Sequence, residues 1–244
     1  MFDDYSDAIR RMALEAYPCE GVLLITQAGA RVVRNTDPDP ENAFRISTAD
    51  WQQAMTEGLL AVVHSHPDGP DCPSAADMQG QRDTAVPWGI VSCYDGERCG
   101  PPFWWGEGIP PDPLIGRGFR HGVTDCYSLI RDYYRLELAI ALPEFPRDWE
   151  WWRSGQQLYL QGFAEAGFSP VSQAAIRPHD VFLCQIRCDT PNHGGIYLGS
   201  GLALHHLTAR HPVDASRLSH REPISRWQNH ISHVLRHHSL AGEP

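Results

Sequence analysis

The spacing of apolar residues predicts alternating helices and strands in the first half of the chain. Ile9, Met12 and Ala13 recur at helical spacing, so that one face of their segment is apolar. Residues 59–63 form a short, continuous apolar run, which is typical of a strand buried on both faces. The predicted elements are helices over residues 5–16 and from Ser47 or Thr48 to 57, and strands over residues 21–25, 31–33, 59–63 and 88–92. This alternation predicts an α/β or α+β domain.

The composition changes near the middle of the chain. Residues 100–113 are rich in proline and glycine, which predicts a linker and a domain boundary near residue 110. We therefore expect two domains, over residues 1–108 and 109–244. The second should contain a helix over residues 125–140, strands over residues 181–183, 195–198 and 202–205, and a hairpin turn at residues 199–201. Its last histidines are expected in a polar, weakly structured tail: His230, His233, His237 and His238.

Composition and charge exclude several classes of protein. The 244 residues are 42% apolar and 20% charged, which favours globular domains over disorder. The net charge of -10 argues against binding to nucleic acid. No run approaches the roughly 20 apolar residues that span a bilayer. Because the first residues are acidic where a signal peptide would be basic, we expect a cytosolic protein. In such a protein we expect buried thiols, and no disulfide framework or zinc knuckle, at Cys19, Cys93, Cys99, Cys184 and Cys188.

The first candidate site follows the buried strand at residues 59–63. His64 and His66 are one residue apart and can point both imidazoles at one metal ion, and Asp77 can provide a third ligand. Three nitrogen and oxygen ligands with an open fourth position are typical of a catalytic zinc, whose bound water has a pKa of roughly 7. Each part also has a simpler interpretation, because Ser74 and Asp77 have the spacing of a helix capping box and the histidines can form a polar turn.

With Glu20 upstream, this set resembles the motif of JAMM (MPN-type) metallopeptidases. The resemblance implies a JAMM/MPN-like α/β domain with Zn²⁺ as cofactor. It also implies that His64, His66 and Asp77 are the zinc ligands. Glu20 would be the general base, and Ser74 would donate a hydrogen bond to the developing oxyanion.

A second candidate site is centred on Cys126, at the start of the predicted helix. A helix N-terminus stabilises a thiolate and should lower the pKa of Cys126, although a core cysteine is the simpler interpretation. Among 13 histidines, His193 precedes a predicted strand and has a glycine pair beside it. His205 ends the next strand, so a hairpin would place the two imidazoles side by side. His206 leaves the third position ambiguous by one residue, and strand alternation would send it to the opposite face.

This second set resembles NlpC-type cell-wall peptidases, which are papain-like α+β proteins. The resemblance implies that Cys126 is the nucleophile, His193 the base and His205 the group that orients His193. Backbone N–H groups at the start of the helix would form the oxyanion hole. The sequence departs from the family at Tyr127 and Ser128, where Ser-Gly is commoner, and this departure bears on how substrate fits.

The order of the two domains is similar to that of tail tip assembly proteins of lambda-like bacteriophages. The resemblance implies other phage tail tip proteins as partners and bacterial peptidoglycan as substrate. It also implies assembly in the host cytoplasm, with the virion tail tip at the periplasmic cell wall as a further location. We therefore expect a hydrolase that cleaves stem peptides at Cys126 and has a second, zinc-dependent (iso)peptidase centre.

Two other functions fit parts of the sequence. The chain can be a structural tail-assembly module that uses its catalytic residues little, with the aromatic linker at residues 103–105 as a docking surface. It can also be an enzyme like a deubiquitinase, although this explains only residues 1–108. Metal analysis and digestion of peptidoglycan distinguish these hypotheses.

Overall fold

The computed structural model describes residues 1–208 and 210–242. The chain separates into two compact units, Met1–Pro110 and Pro111–Pro244. Each unit combines helices with a sheet, which confirms the predicted mixture of α/β and α+β structure. Within the described residues, every helix is too short or too polar to cross a membrane.

The first unit is a six-stranded mixed sheet with three helices. Its elements are α1 (Ser6–Ala16), β1 (Val22–Thr26), β2 (Gly29–Val33), α2 (Thr48–Thr56), β3 (Leu59–Pro67), α3 (Ala75–Thr84), β4 (Pro87–Tyr94), β5 (Arg98–Cys99) and β6 (Phe103–Gly106), with a 3-10 turn at Asp3–Tyr5. The strand order is β2-β1-β3-β4-β5, and β6 also pairs with β4. Only β3 and β4 run parallel among the described strands of this sheet, and α3 connects them.

The apolar face of α1 and the parallel strands form the core of the first unit. Ile9, Met12 and Ala13 are buried against side chains of β1, β3 and β4, as the helical spacing predicts. β3 is longer than the apolar run at residues 59–63, because its hydrogen-bonded pairing with β4 continues to Pro67. His64 and His66 therefore lie within the strand and do not follow it. Since side chains alternate along a strand, both imidazoles point to the same side of the sheet.

The prediction of a linker over residues 100–113 is wrong in its central part. Phe103–Gly106 forms β6, which pairs antiparallel with β4 and places Trp105 opposite Trp88. Trp105 is buried, and the Trp104 ring packs on Phe2 with the ring centroids 4.8 Å apart. Burial of large aromatic side chains outweighs the local effect of the flanking prolines and glycines. The docking surface suggested for residues 103–105 is thus largely covered by this unit itself.

The second unit is a six-stranded antiparallel sheet covered by α4, with a separate two-stranded ribbon. Its elements are β7 (Gly118–Arg120), α4 (Cys126–Leu138), α5 (Leu158–Glu165), β8 (Phe168–Val171), β9 (Val181–Cys184), β10 (His193–Gly199), β11 (Leu202–His205), β12 (Val213–Leu218), β13 (His220–Pro223) and β14 (Ile231–His237). Short 3-10 turns lie at Trp151–Ser154, Gln173–Ala175, Ile224–Arg226 and His238–Leu240. The sheet order is β13-β11-β10-β9-β14-β8, and β12 pairs with β7.

The core of the second unit lies between α4 and this sheet. Leu129 and Ile130 of α4 are fully buried in one cluster with Leu183 of β9 and Ile196 of β10. The burial fixes the helix against the two strands. The first residue of α4, Cys126, is thereby held above the start of β10.

The prediction of a weakly structured tail is wrong for residues 231–237. They form β14, which lies between β9 and β8 in the sheet. Val234 and Leu235 are buried, and the His237 ring is buried on Phe168 with centroids 5.0 Å apart. The apolar pair within a histidine-rich stretch gains enough from burial to order the strand.

Candidate active sites

The first site lies where β3 meets the start of α3. His64 Nε2 is 3.0 Å from His66 Nε2 and 3.3 Å from Asp77 Oδ1, and His66 Nε2 is 3.7 Å from Asp77 Oδ2. The three residues are buried, and their ligand atoms all lie within 4.8 Å of one another. The structure therefore brings together the three residues that the sequence predicts as metal ligands.

The hydrogen bonds of these residues fit a divalent metal ion. His66 Nδ1 is 2.8 Å from the Pro70 carbonyl oxygen, so it must donate, which leaves Nε2 as a lone pair when the ring is neutral. This lone pair faces His64 Nε2. His64 Nδ1 is buried and has no hydrogen-bond partner among the described residues. Two imidazole nitrogens and one carboxylate are a donor set that suits Zn²⁺.

Ser74 and Asp77 form the capping box at the start of α3. The Ser74 hydroxyl and backbone N–H donate to Asp77 Oδ2 at 2.7 and 2.8 Å, while the Asp77 N–H donates to the Ser74 hydroxyl. The capping box and the metal-ligand set are compatible. Ser74 holds Asp77 Oδ2, while Asp77 Oδ1 faces His64. The hydroxyl proton of Ser74 goes to Asp77 here, and its role as an oxyanion donor stays a prediction.

Burial and the neighbouring charged groups oppose each other in setting the pKa values of this site. Burial alone would raise the pKa of Asp77, yet the His64 and His66 imidazoles hold it well below its usual value. Burial raises the pKa of Glu20 to about 8, opposed by His66 and assisted by the Asp77 charge. The Glu20 backbone is held in the loop before β1 by hydrogen bonds to the Pro40 carbonyl and from the Asn35 side chain. A buried carboxyl with a pKa near neutrality can both accept and return a proton.

The second site lies at the N-terminus of α4. Asp125 is the N-cap, and its Oδ1 accepts the Ser128 N–H at 2.9 Å. Cys126 follows as the first helical residue and is buried, with its Sγ 3.1 Å from the Tyr159 hydroxyl. The thiol is thus fixed by the helix cap on one side and by a phenol on the other.

The β10–β11 hairpin brings two histidines together beside this helix. His205 lies opposite Gly195, and His205 Nδ1 is 3.2 Å from His193 Nε2. A Cβ atom on Gly195 would lie 2.8 Å from the Leu204 carbonyl oxygen and 2.9 Å from His205 Cβ, so only glycine permits this close approach. His206 instead hydrogen-bonds the Arg217 carbonyl at 2.7 Å.

The electrostatics of Cys126 differ from the expectation for a helix N-terminus. Burial and the neighbouring Asp125 charge raise the pKa of Cys126 to about 11, although the Tyr159 hydroxyl and the Gly194 N–H act in the opposite direction. The predicted lowering of this pKa is wrong, because desolvation of the thiolate outweighs the helix N-terminus. Burial also lowers the pKa of His193 well below its usual value. The resting pair is a neutral thiol and a neutral imidazole.

Three further polar residues complete the second site and were not found from the sequence. Arg147 is fully buried and donates two hydrogen bonds of 2.9 Å to the Asp125 carboxylate. Tyr159 contacts the thiol, and Glu222 Oε1 is 2.6 Å from His205 Nε2. Each lies between 17 and 33 residues from its partner, outside any local motif, so no sequence signal identified it.

An open cavity of about 420 Å³ gives access to this site. Its volume is in the range of small-molecule and peptide-side-chain pockets. Its walls combine aromatic rings with the reactive groups, and include Trp149, Trp151, Trp152, Tyr159, Cys126 and His193. Cys126 and His193 therefore face one space that substrate can enter.

Both units match known protein families. The NlpC/P60 family matches residues 100–236, and the family of prokaryotic homologs of the JAB domain matches residues 3–105. The chain is 39% identical to tail tip assembly protein K of Escherichia phage lambda over 196 residues, 79% of this chain and 89% of that protein. It is 31% identical to tail tip assembly protein K of Escherichia phage N15 over 247 residues, 97% of this chain and 95% of that protein.

A solved structure of an NLP/P60 family protein similar to a lipoprotein, from Staphylococcus aureus, is 19% identical. It aligns with a TM-score of 0.34 over 50% of this chain and 37% of that chain.

Proposed function

The chain belongs to the NlpC/P60 family and to the family of tail tip assembly protein K, and we propose that it is a peptidase of the phage tail tip. Its substrate would be the stem peptides of bacterial peptidoglycan. Other tail tip proteins would be its partners. It would assemble in the host cytoplasm and then act from the virion tail tip at the periplasmic cell wall.

One observation carries the peptidase proposal: Cys126 and His193 face one cavity, and His205 contacts the imidazole of His193. This is the order of nucleophile, base and orienting group in a catalytic triad. His205 Nε2 faces the Glu222 carboxylate and must donate to it, so Nδ1 of the neutral His205 ring accepts the N–H of His193 Nε2. His193 Nδ1 is then free to act as the base.

Cys126 and His193 can together carry out acyl transfer through a thioester. His193 takes the proton of the Cys126 thiol as the sulfur attacks the scissile carbonyl carbon, and backbone N–H groups at the start of α4 stabilise the oxyanion. The C–N bond breaks when the protonated His193 gives its proton to the leaving amine. Water then hydrolyses the thioester, with His193 again as the base. Because the resting thiol is protonated, proton transfer and attack are expected to be coupled.

Digestion of purified peptidoglycan tests this half of the proposal. Cys126→Ala should lower the rate of fragment release, followed by mass spectrometry, by more than ~1,000-fold. Cys93→Ala is the matched control, since Cys93 is a buried free thiol of the first unit and does not line the cavity at Cys126 and His193. A Cys126→Ala chain that digests peptidoglycan at the wild-type rate would contradict the proposal.

The first unit would contribute a zinc-dependent (iso)peptidase centre. His64, His66 and Asp77 would hold the ion, with Ser74 fixing the carboxylate of Asp77. Bound zinc supplies a Lewis acid for a scissile carbonyl and lowers the pKa of a water molecule. Glu20 would accept a proton from the nucleophile and deliver it to the leaving group.

Metal analysis of the purified chain tests the zinc centre. We expect about one tightly held zinc per chain, in keeping with a three-ligand site. His66→Ala should lose this ion, whereas His230→Ala, which removes an exposed histidine, should keep it. Purified protein without zinc, or a His66→Ala chain with unchanged zinc, would contradict the assignment.

A structural role is the second candidate function. The similarity to tail tip assembly proteins extends over both units, and the Cys126 thiol is protonated at rest, which favours a module whose chemistry is little used. Tails assembled with a chain that carries both Cys126→Ala and Glu20→Ala distinguish the two. Normal, infectious particles would favour the structural role, and intact but non-infectious particles would favour the enzyme.

A further inference from the structure

The far side of His205 carries a cluster of ligand atoms that the peptidase reaction does not use. We propose that His205, His220 and Glu222 form a second divalent metal site, suited to Zn²⁺. We further propose that metal binding there switches off the cysteine centre. The metal site stands on its own geometry, and only the inhibition rests on the proposed peptidase function.

The antiparallel pairing of β11 and β13 builds this cluster. His205 lies directly opposite His220, and Glu222 follows two residues later on the same face of β13. Glu222 Oε1 is 2.6 Å from His205 Nε2 and 3.7 Å from His220 Nε2, and the two imidazole centroids are 4.7 Å apart. The three ligand atoms lie within 4.8 Å of one another.

The hydrogen bonds of His220 leave its second ring nitrogen available to a cation. His220 Nδ1 is 2.9 Å from the Leu218 carbonyl oxygen and must donate to it. When the ring is neutral, the lone pair of Nε2 therefore faces the Glu222 carboxylate, and a cation between them would be bound by both groups. A metal-ligating histidine usually donates its other ring N–H to a carbonyl or carboxylate oxygen, as His220 does to Leu218.

The other groups around Glu222 would hold the carboxylate in place and leave the site accessible. Trp227 Nε1 donates to Oε1 at 2.8 Å, and Arg226 donates to Oε2 at 2.9 Å. The His220 side chain is 51% exposed, whereas Glu222 is 12% exposed and His205 is buried. Two imidazoles and one carboxylate with an exposed side are a donor set that Zn²⁺ accepts.

A metal ion here would reverse the hydrogen-bond chain that prepares the base. With no ion bound, His205 donates from Nε2 to Glu222 and accepts at Nδ1 from His193. A metal ion takes the lone pair of His205 Nε2, so the ring proton moves to Nδ1 and faces His193 Nε2. His193 must then accept at Nε2 and carry its own proton on Nδ1. It can no longer take the proton of Cys126.

This change conserves protons. Each imidazole stays neutral and only exchanges one ring tautomer for the other, through solvent. Metal binding at this site should thus release no proton from the two imidazoles.

The first experiment measures metal binding without reference to peptidase activity. The full chain with His66→Ala, which disables the first metal site, is titrated with Co²⁺ and with Zn²⁺. We expect about one ion per chain, with the absorption spectrum of low-coordinate Co²⁺. Adding His220→Ala should weaken binding more than ~10-fold, whereas adding His230→Ala as the matched control should leave it unchanged. Equal binding by the His220→Ala chain would overturn the site.

The second experiment measures inhibition. Zinc should inhibit peptidoglycan digestion by the wild-type chain, and His220→Ala should keep the basal rate while its zinc inhibition constant rises more than ~10-fold. Imidazole ¹⁵N shifts should show the proton of His205 on Nδ1 only when zinc is bound. Equal inhibition of the His220→Ala chain would place the inhibitory ion elsewhere and refute the switch. A chain with no peptidase activity refutes the proposed function, and the binding experiment still decides the metal site.

Discussion

Replacing Arg147 by methionine should destabilise the second unit through the charge that it leaves behind. Asp125 and Arg147 are both fully buried and are joined by two hydrogen bonds of 2.9 Å. Arg147→Met keeps most of the side-chain volume but leaves the Asp125 carboxylate in the interior without its cation. Because Asp125 is the N-cap of α4, the effect should be greatest where Cys126 is positioned.

The expected cost is large for a single substitution. Removing one partner of a buried ion pair typically costs about 3–5 kcal/mol. Arg147 also donates to Glu144 and to the Phe145 carbonyl, which places the estimate toward the upper end. Asp125→Asn should cost less, since asparagine is an equally good N-cap. In the double variant no charge is stranded, so its cost should be smaller than the sum of the single costs by about 1–3 kcal/mol.

Because the chain has two units, the loss of stability is best measured locally. Hydrogen exchange followed by mass spectrometry reports it for α4 alone. Peptides from Cys126–Leu138 in the Arg147→Met chain should exchange about 100- to 4,000-fold faster, while peptides from α1 keep their wild-type rate. A change below about tenfold, or strictly additive effects of the two substitutions, would show that the buried pair does not stabilise this helix.

Three further predictions concern the caps, the hairpin and acid. Ser74→Ala should destabilise the first unit by about 0.5–2 kcal/mol and weaken zinc binding, because Asp77 loses its orienting hydroxyl; denaturant titration and metal competition measure both effects. Gly195→Ala should lower stability by about 1–3 kcal/mol through overpacking against the His205 strand and slow peptidoglycan digestion, and wild-type values for both would contradict the close approach. Burial would raise the pKa of Asp125, yet Arg147 and His121 hold it below its unfolded value of about 3.9. Its stabilisation is therefore complete above that value and is lost as the pH falls below it, so acid should destabilise the Asp125→Asn chain less than wild type.

Features that depend on neighbours a few residues away can be predicted from the amino-acid sequence. Apolar spacing located α1, and Ser47 and Asp125 were placed next to helices that they cap. The alternation of side chains put His64 and His66 on one face, whichever strand lies beside them. Such interactions span at most one helical turn or one pleat, so a short window of sequence contains both partners.

Tertiary structure alone decided which distant groups meet and how their charges behave. β6 and β14 became strands because Trp105 and Leu235 find apolar partners on strands that are remote in sequence. Glu222 reached His205 through the register of β13, which no local motif encodes. Burial likewise reversed the expected pKa of Cys126, since desolvation depends on everything packed around the thiol. The reactive residues could be predicted from the sequence, whereas their protonation states depend on the groups packed around them in the folded protein.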